Sequence, residues 1–97
     1  MTAVVPAWRI TGGCRLHWRA WGEESIVYDA ASGDTHLLDP LSAEVLKALE
    51  RSSMATAQLA ELLGARLESV PEGELSSHIS ALLPRLHDLG LIESVPQ

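Results

Sequence analysis

Ninety-seven residues, 46% of them hydrophobic and 21% charged, suffice for one domain with a thin core and are too apolar for a disordered chain. Thirteen acidic residues against seven basic ones give a formal net charge of −6. That balance counts against partners bound through Lys and Arg, nucleic acid and anionic membranes among them. Cys14 is the single cysteine, which excludes an internal disulfide, and no apolar run approaches the roughly 20 residues that cross a bilayer.

Residues 1–13 read as an N-terminal arm closed by the Gly12-Gly13 turn. The arm has neither the basic start nor the long apolar stretch of a signal peptide, so the expected location is the cytoplasm. From Arg15 to Trp21 the side chains alternate in period two, with Leu16, Trp18 and Ala20 on one face and Arg15, His17, Arg19 and Trp21 on the other. This is the pattern of a half-buried strand. Gly22-Glu23-Glu24 turns the chain into a second strand, Ser25–Asp29, and Ala31-Ser32-Gly33 turns it into a third, Asp34–Leu38. Such short connections predict an antiparallel meander with the second strand in the middle.

Helical spacing then takes over. Asp39-Pro40 is a start signal, because the Asp accepts from orphan amides and the Pro suits the first helical position. Leu41, Val45, Leu46 and Leu49 recur on one face until about Arg51, where Ser52-Ser53 breaks the pattern. Thr56 is expected to cap a second helix carrying Leu59, Leu62, Leu63 and Leu67. Pro71-Glu72-Gly73 introduces a third, with the stripe Leu75, Ile79, Leu82, Leu86 and Leu89. Pro84 falls opposite that stripe, so a bend is expected there and not a stop. Gly90 fits a left-handed cap that sets Leu91 against Leu86, and an extended tail closes the chain. Three strands followed by three helices give an α+β domain spanning residues 1–97, with the helices on one face of a three-stranded antiparallel sheet.

Chemistry-bearing clusters are sparse. Ser32, Asp34 and His36 imitate a catalytic triad, but side chains two apart on a hairpin arm do not converge on one reacting atom. Polar turn chemistry accounts for them, and no catalytic residue is assigned. Cys14, His17, His36, His78 and His87 show no paired ligand spacing, so no metal site and no cofactor is expected. The glycines lack the helix and Lys of a phosphate loop.

Thr56–Gly64 and the closing Leu89-Gly90-Leu91-Ile92-Glu93 look like parts of a winged helix. A DNA reader needs Lys, Arg, Asn or Gln on the third helix. Between Glu72 and Asp88 there is only Arg85, set against Glu72, Glu74 and Asp88.

The runs Trp21–Tyr28 and Ser32–Ala43, above all Ser32-Gly33-Asp34-Thr35-His36-Leu37-Leu38, resemble the PqqD-like peptide chaperones, in particular the branch of HPr-kinase-related systems. The likeness spans about residues 8–93. It implies a winged-helix-like RiPP recognition element. Such a domain is non-catalytic and holds the leader of a ribosomally made precursor peptide for a modifying enzyme. It also implies that the leader adds a strand in the groove between the third strand and the third helix. Carried onto this chain, the edge is Asp34, Thr35, His36, Leu37 and Leu38, and the groove wall is His78, Ile79, Leu82, Arg85 and Leu86. An exposed edge independently suits strand addition, and Arg85 suits a leader carboxylate. The expected partners are therefore a precursor leader and a peptide-modifying enzyme or HPr-kinase-related protein, with neither nucleic acid nor membrane. A homodimer through an edge strand stays open. Two alternatives remain: a winged-helix DNA-binding regulator, and an interaction subunit of a kinase-like partner. In a low-salt anisotropy titration, a short DNA duplex should bind no better than non-specifically, and sub-micromolar affinity would favour the regulator.

Overall fold

The alternation between Arg15 and Leu38 becomes a three-stranded sheet in the computed structural model, which describes residues 6–66 and 72–96. In chain order the elements are β1 (Pro6–Ile10), β2 (Leu16–Trp21), β3 (Glu24–Asp29), β4 (Thr35–Leu38), α1 (Pro40–Arg51), α2 (Thr56–Arg66), α3 (Glu72–Asp88) and β5 (Ile92–Pro96). The architecture is α+β, with antiparallel strands in the order β2-β3-β4 and three helices. Trp21 pairs with Glu24, leaving Gly22-Glu23 as a two-residue hairpin loop, and Gly22 sits at φ 63 where a type II′ turn places its glycine.

Asp29 joins the sheet's two loops. Its Oδ1 accepts the amides of Arg15 at 3.1 Å and Ala31 at 2.9 Å. Its own amide donates to the Asp34 carbonyl at 2.9 Å, and Gly33 N–H donates to its carbonyl at 2.8 Å. The entry to β2 and the turn into β4 are thus fixed by one residue that is nearly buried.

Two features escaped the sequence reading. Residues 6–10 of the expected arm form β1, which pairs antiparallel with the tail strand β5 from Pro6↔Pro96 to Ile10↔Ile92. The Arg9 guanidinium holds Glu93 across this ribbon, and Trp8 exchanges two backbone hydrogen bonds with Met54, at 2.8 and 3.0 Å. Ribbon and bridge together tie β1 and β5 to the segment between α1 and α2.

Helix limits follow local chemistry. Asp39 caps α1 with Pro40 next to it, as the sequence implies. The expected Thr56 cap is corrected: Ala55 holds that position, since its carbonyl accepts Leu59 N–H, and Gln58 Oε1 reaches back to its amide at 2.8 Å. This is half a capping box, in which the residue three positions on satisfies the cap's N–H. Leu67 and Pro71 lie outside the described residues.

α3 continues through Pro84, which is exposed. Its stripe Leu75, Ile79, Leu82 and Leu86 is buried together with Leu83, but Leu89, expected in the same stripe, is exposed. The helix ends there in a Schellman motif. Leu91 N–H bonds the Leu86 carbonyl and Gly90 N–H that of His87, with Gly90 at φ 79. The chain leaves the helical path, and Leu91 enters the core where Leu89 does not. That core joins Val27 and Leu38 from the sheet to α1, α2, α3, Leu91 and Ile92.

Backbone bonds from Arg15 and Ala31 hold the Asp29 carboxyl down at about 2, below its ordinary 3.8. A depressed folded-state pKa adds stability above pH 4 that is lost as the pH falls toward 2. Asp29→Ala should therefore lower the melting temperature at pH 7. In Asp29→Asn, which keeps an acceptor for both amides, the deficit relative to the natural chain should narrow on acidification. Thermal melts at pH 7 and pH 3 measure both.

Candidate functional site

The backbone bonds flanking the sheet determine which groups β4 shows to solvent. Ala30 N–H donates to the Arg15 carbonyl and Asp29 N–H to the Asp34 carbonyl. Each bond extends a ladder by one pair, the first beyond Leu16↔Asp29 and the second beyond Tyr28↔Thr35. Because antiparallel pairs alternate, Ile26 and Tyr28 turn their backbone groups toward β2, and Val27 and Asp29 turn theirs toward β4. The two ladders agree. On β4, His36 and Leu38 thus bond inward, and Thr35 and Leu37 present their N–H and C=O at the edge, with no described strand beyond.

The two edges of this sheet are guarded differently. β2 carries Arg19, and α1 flanks it: Trp18 Nε1 donates to Glu50 at 2.7 Å and Lys47 Nζ lies 5.0 Å from the Trp18 ring centroid. Charged and covered edges resist pairing with other chains. β4, Thr-His-Leu-Leu, has neither a charged residue nor a proline.

A cleft of about 270 Å³ opens where β4 passes into α1, lined by Asp39, Leu41, Ser42, His78, Ala81, Leu82 and Arg85. Sequence reasoning named three of these, His78, Leu82 and Arg85. It treated Asp39 only as a cap and Leu41 only as core, and missed Ser42 and Ala81. The start signal Asp39-Pro40 held the clue, since it brings a helix N-terminus to the end of an edge strand.

The remaining expected wall residues do not face the cleft. Ile79 is 0% and Leu86 2% exposed, and both belong to the core behind it. Leu38 is likewise a core side chain, and its backbone groups bond inward to Ser25, so it backs the edge and offers a partner neither side chain nor amide. Asp34 lies before β4, with its amide donating to Ser32 Oγ at 3.2 Å, so Ser32 is engaged in the turn. Thr35, His36 and Leu37 form the edge itself and do not line the cleft.

Leu41, Ala81 and Leu82 give the cleft an apolar floor, and His78 and Arg85 give one wall two nitrogen-bearing groups. His78 Nε2 stands 4.0 Å from Glu74, whereas Arg85 makes no ion pair among the described residues, neither with Glu74 nor with Asp88. The cleft thus sets an apolar floor beside two nitrogen-bearing groups, with the Asp39 carboxylate also in its lining.

Among the described residues no group of three His, Cys, Asp or Glu side chains is placed to hold a metal ion, and no helix is long and apolar enough to cross a membrane. Burial, and then the neighbouring Asp29 carboxylate, push the Cys14 thiol up to about 11.

The described residues thus set an exposed edge strand beside a cleft on a three-helix α+β frame. The family model described as coenzyme PQQ synthesis protein D (PqqD) matches residues 24–92. The chain belongs to the PqqD family. Among solved structures it is similar to the one described as TbiB1 in complex with the TbiA(beta) leader peptide. The likeness is one of fold: TM-score 0.67 and 16% identity, over 88% of this chain and 94% of that one. No curated protein matches the sequence significantly.

With its pKa raised to about 11, Cys14 is protonated at neutral pH and a poor nucleophile. Iodoacetamide should label it far more slowly at pH 7.5 than a free cysteine, with the rate still climbing above pH 9. Rapid labelling at neutral pH would contradict a half-buried thiol held in its protonated form.

Proposed function

We propose that the chain is a non-catalytic peptide-binding module that holds the leader of a ribosomally made precursor and presents it to a modifying enzyme. The observation that carries this reading is the unguarded edge of β4, with the Thr35 and Leu37 backbone groups turned outward beside the His78–Arg85 cleft. Main-chain bonds to such an edge give affinity, and neighbouring pockets give specificity. Membership of the PqqD family, and a fold shared with a protein solved on a leader peptide, support it.

The module acts as one domain over residues 1–97, in the cytoplasm, with no metal, cofactor or chemistry of its own. The edge contacts are Asp34, Thr35, His36 and Leu37, with Leu38 as their backing. The cleft contacts are His78, Leu82 and Arg85, with Ile79 and Leu86 as their backing. Arg85 is the group for a leader carboxylate. A second reading concerns the receiving partner: the Ser32–Leu38 stretch resembles the HPr-kinase-related branch, which favours an HPr-kinase-related protein in that role. Pairing of two copies through β4 would occupy the same edge, so a homodimer and a loaded complex exclude each other.

Proline has no amide hydrogen to donate. At Thr35 it removes an outward donor and spares the internal ladder, and at His36 it breaks the ladder to Val27. Thr35→Pro should stay folded and lose at least about tenfold in affinity, roughly 1.4 kcal/mol. His36→Pro should lose stability. Thermal melts, and calorimetry against a synthetic leader from a neighbouring precursor gene, measure the two effects. A folded Thr35→Pro with full affinity would exclude strand addition at this edge.

A further inference from the structure

Leu37 is 58% exposed, and its side chain lies on the face of the sheet opposite the helices, since its neighbour Leu38 points into the core. A single exposed Leu is ordinary. This one ends a row. Register places Leu37 beside Ile26, and Ile26 beside Arg19. The adjacent row is Thr35, Tyr28 and His17, with Tyr28 42% exposed and its ring 6.4 Å from that of His17. A hollow of about 480 Å³ lined by His17, Trp18, Arg19, Ile26 and Tyr28 adjoins both rows. The outer face therefore carries Leu37, Ile26 and Tyr28 toward the free edge, and on β2 Arg19 and His17 together with the exposed Trp21, which stands beside Glu24. Arg19 has no ion pair among the described residues.

A strand added to β4 lies about 4.8 Å beyond it and continues its pleat. Residues opposite Thr35 and Leu37 put their side chains on the outer face, and residues opposite His36 and Leu38 put theirs on the helix side, toward the cleft. The residue opposite Leu37 extends the row Arg19–Ile26–Leu37 by one place. Directly opposed side chains on one face of a sheet interact, and an apolar neighbour is the one that removes the exposed Leu37 surface from water.

We infer that the bound segment is read on both faces. Its outward residue opposite Leu37 is apolar, and its inward residues supply an apolar group and a carboxylate to the Leu82–Arg85 cleft. The substrate class is an acidic, apolar peptide whose apolar residues occupy both parities of the strand, unlike a segment that is apolar on the cleft side alone. This inference rests on the strand-addition reading above and adds to it a specificity residue, Leu37, outside the cleft.

The test is selection of a random peptide display library on the immobilised natural chain, followed by titration of the enriched peptides against variants. Enriched peptides should carry apolar residues at adjacent positions together with Asp or Glu. Leu37→Asp should weaken them at least tenfold and, in a repeat selection, replace the outward apolar residue by Lys or Arg. Arg85→Glu should change only the acidic preference. Leu37→Thr, a milder change at an exposed position, is the control should the Asp variant melt early, and it too should lose affinity. Enriched peptides that need the Thr35 amide, by loss of binding in Thr35→Pro, yet bind Leu37→Asp and Leu37→Thr at full strength would overturn the outer-face contact and leave strand addition standing. No enrichment, or binding indifferent to Thr35→Pro, would overturn both.

Discussion

Asp29 closes β3 with a carboxylate and a backbone that together hold both neighbouring strands. Its Oδ1 draws in the amide before β2, and its amide and carbonyl engage the loop before β4. One residue thereby aligns the two ladders of the sheet, and the alignment decides which face of β4 each backbone group takes. Shifting the β3–β4 register by one residue would bring the His36 and Leu38 backbone groups to the open edge and turn Leu38 away from the core. Keeping Leu38 buried and keeping the Thr35 and Leu37 groups outward are the same constraint.

That constraint gives the sheet two unlike sides. Along β2, the Arg19 charge and the Lys47–Trp18–Glu50 cluster from α1 discourage any further strand. Along β4 no described residue does, and the strand runs straight into the capped start of α1, where Asp39 and Ser42 meet the His78–Arg85 flank of α3. A peptide bound there would meet main chain along β4 and side chains at its end. The exposed cleft residues His78 and Arg85 can be substituted without touching the core, whereas Leu82, Ser42 and the cap Asp39 belong to the fold as well as to the cleft.

The parts legible in the sequence are those governed by neighbours in the chain. The meander follows from alternation and short turns, α1 from Asp39-Pro40, and the exit of α3 from Gly90 with Leu91 against Leu86. What escaped depends on distant partners or on atypical residues. β1 and β5 bring together residues 84 apart, as in Arg9 and Glu93, and neither Pro6–Ile10 nor the tail has an alternation that advertises the other. Ala55 is an unusual cap, made workable by Gln58. Leu89 keeps helical spacing with the stripe, and its amide still bonds the Arg85 carbonyl, but Leu91, returned by the Gly90 turn, is the side chain that enters the core. Of the site, the edge strand and three cleft residues were readable, because Arg85 and His78 share a flank of one helix. The orientation of the Thr35 amide was not, since it depends on ladder alternation set by Asp29 and not on any property of Thr35.

The β1–β5 ribbon also bears on modular architecture. Pro6 stands opposite Pro96, so the polypeptide enters and leaves this fold through adjacent strands only about 5 Å apart. A unit gated in this way can be spliced into a surface loop of a larger enzyme without prising its host apart, or be re-opened elsewhere and joined across the gate by a short linker. The sheet edge and cleft, which draw on β4, α1 and α3, would travel with it intact.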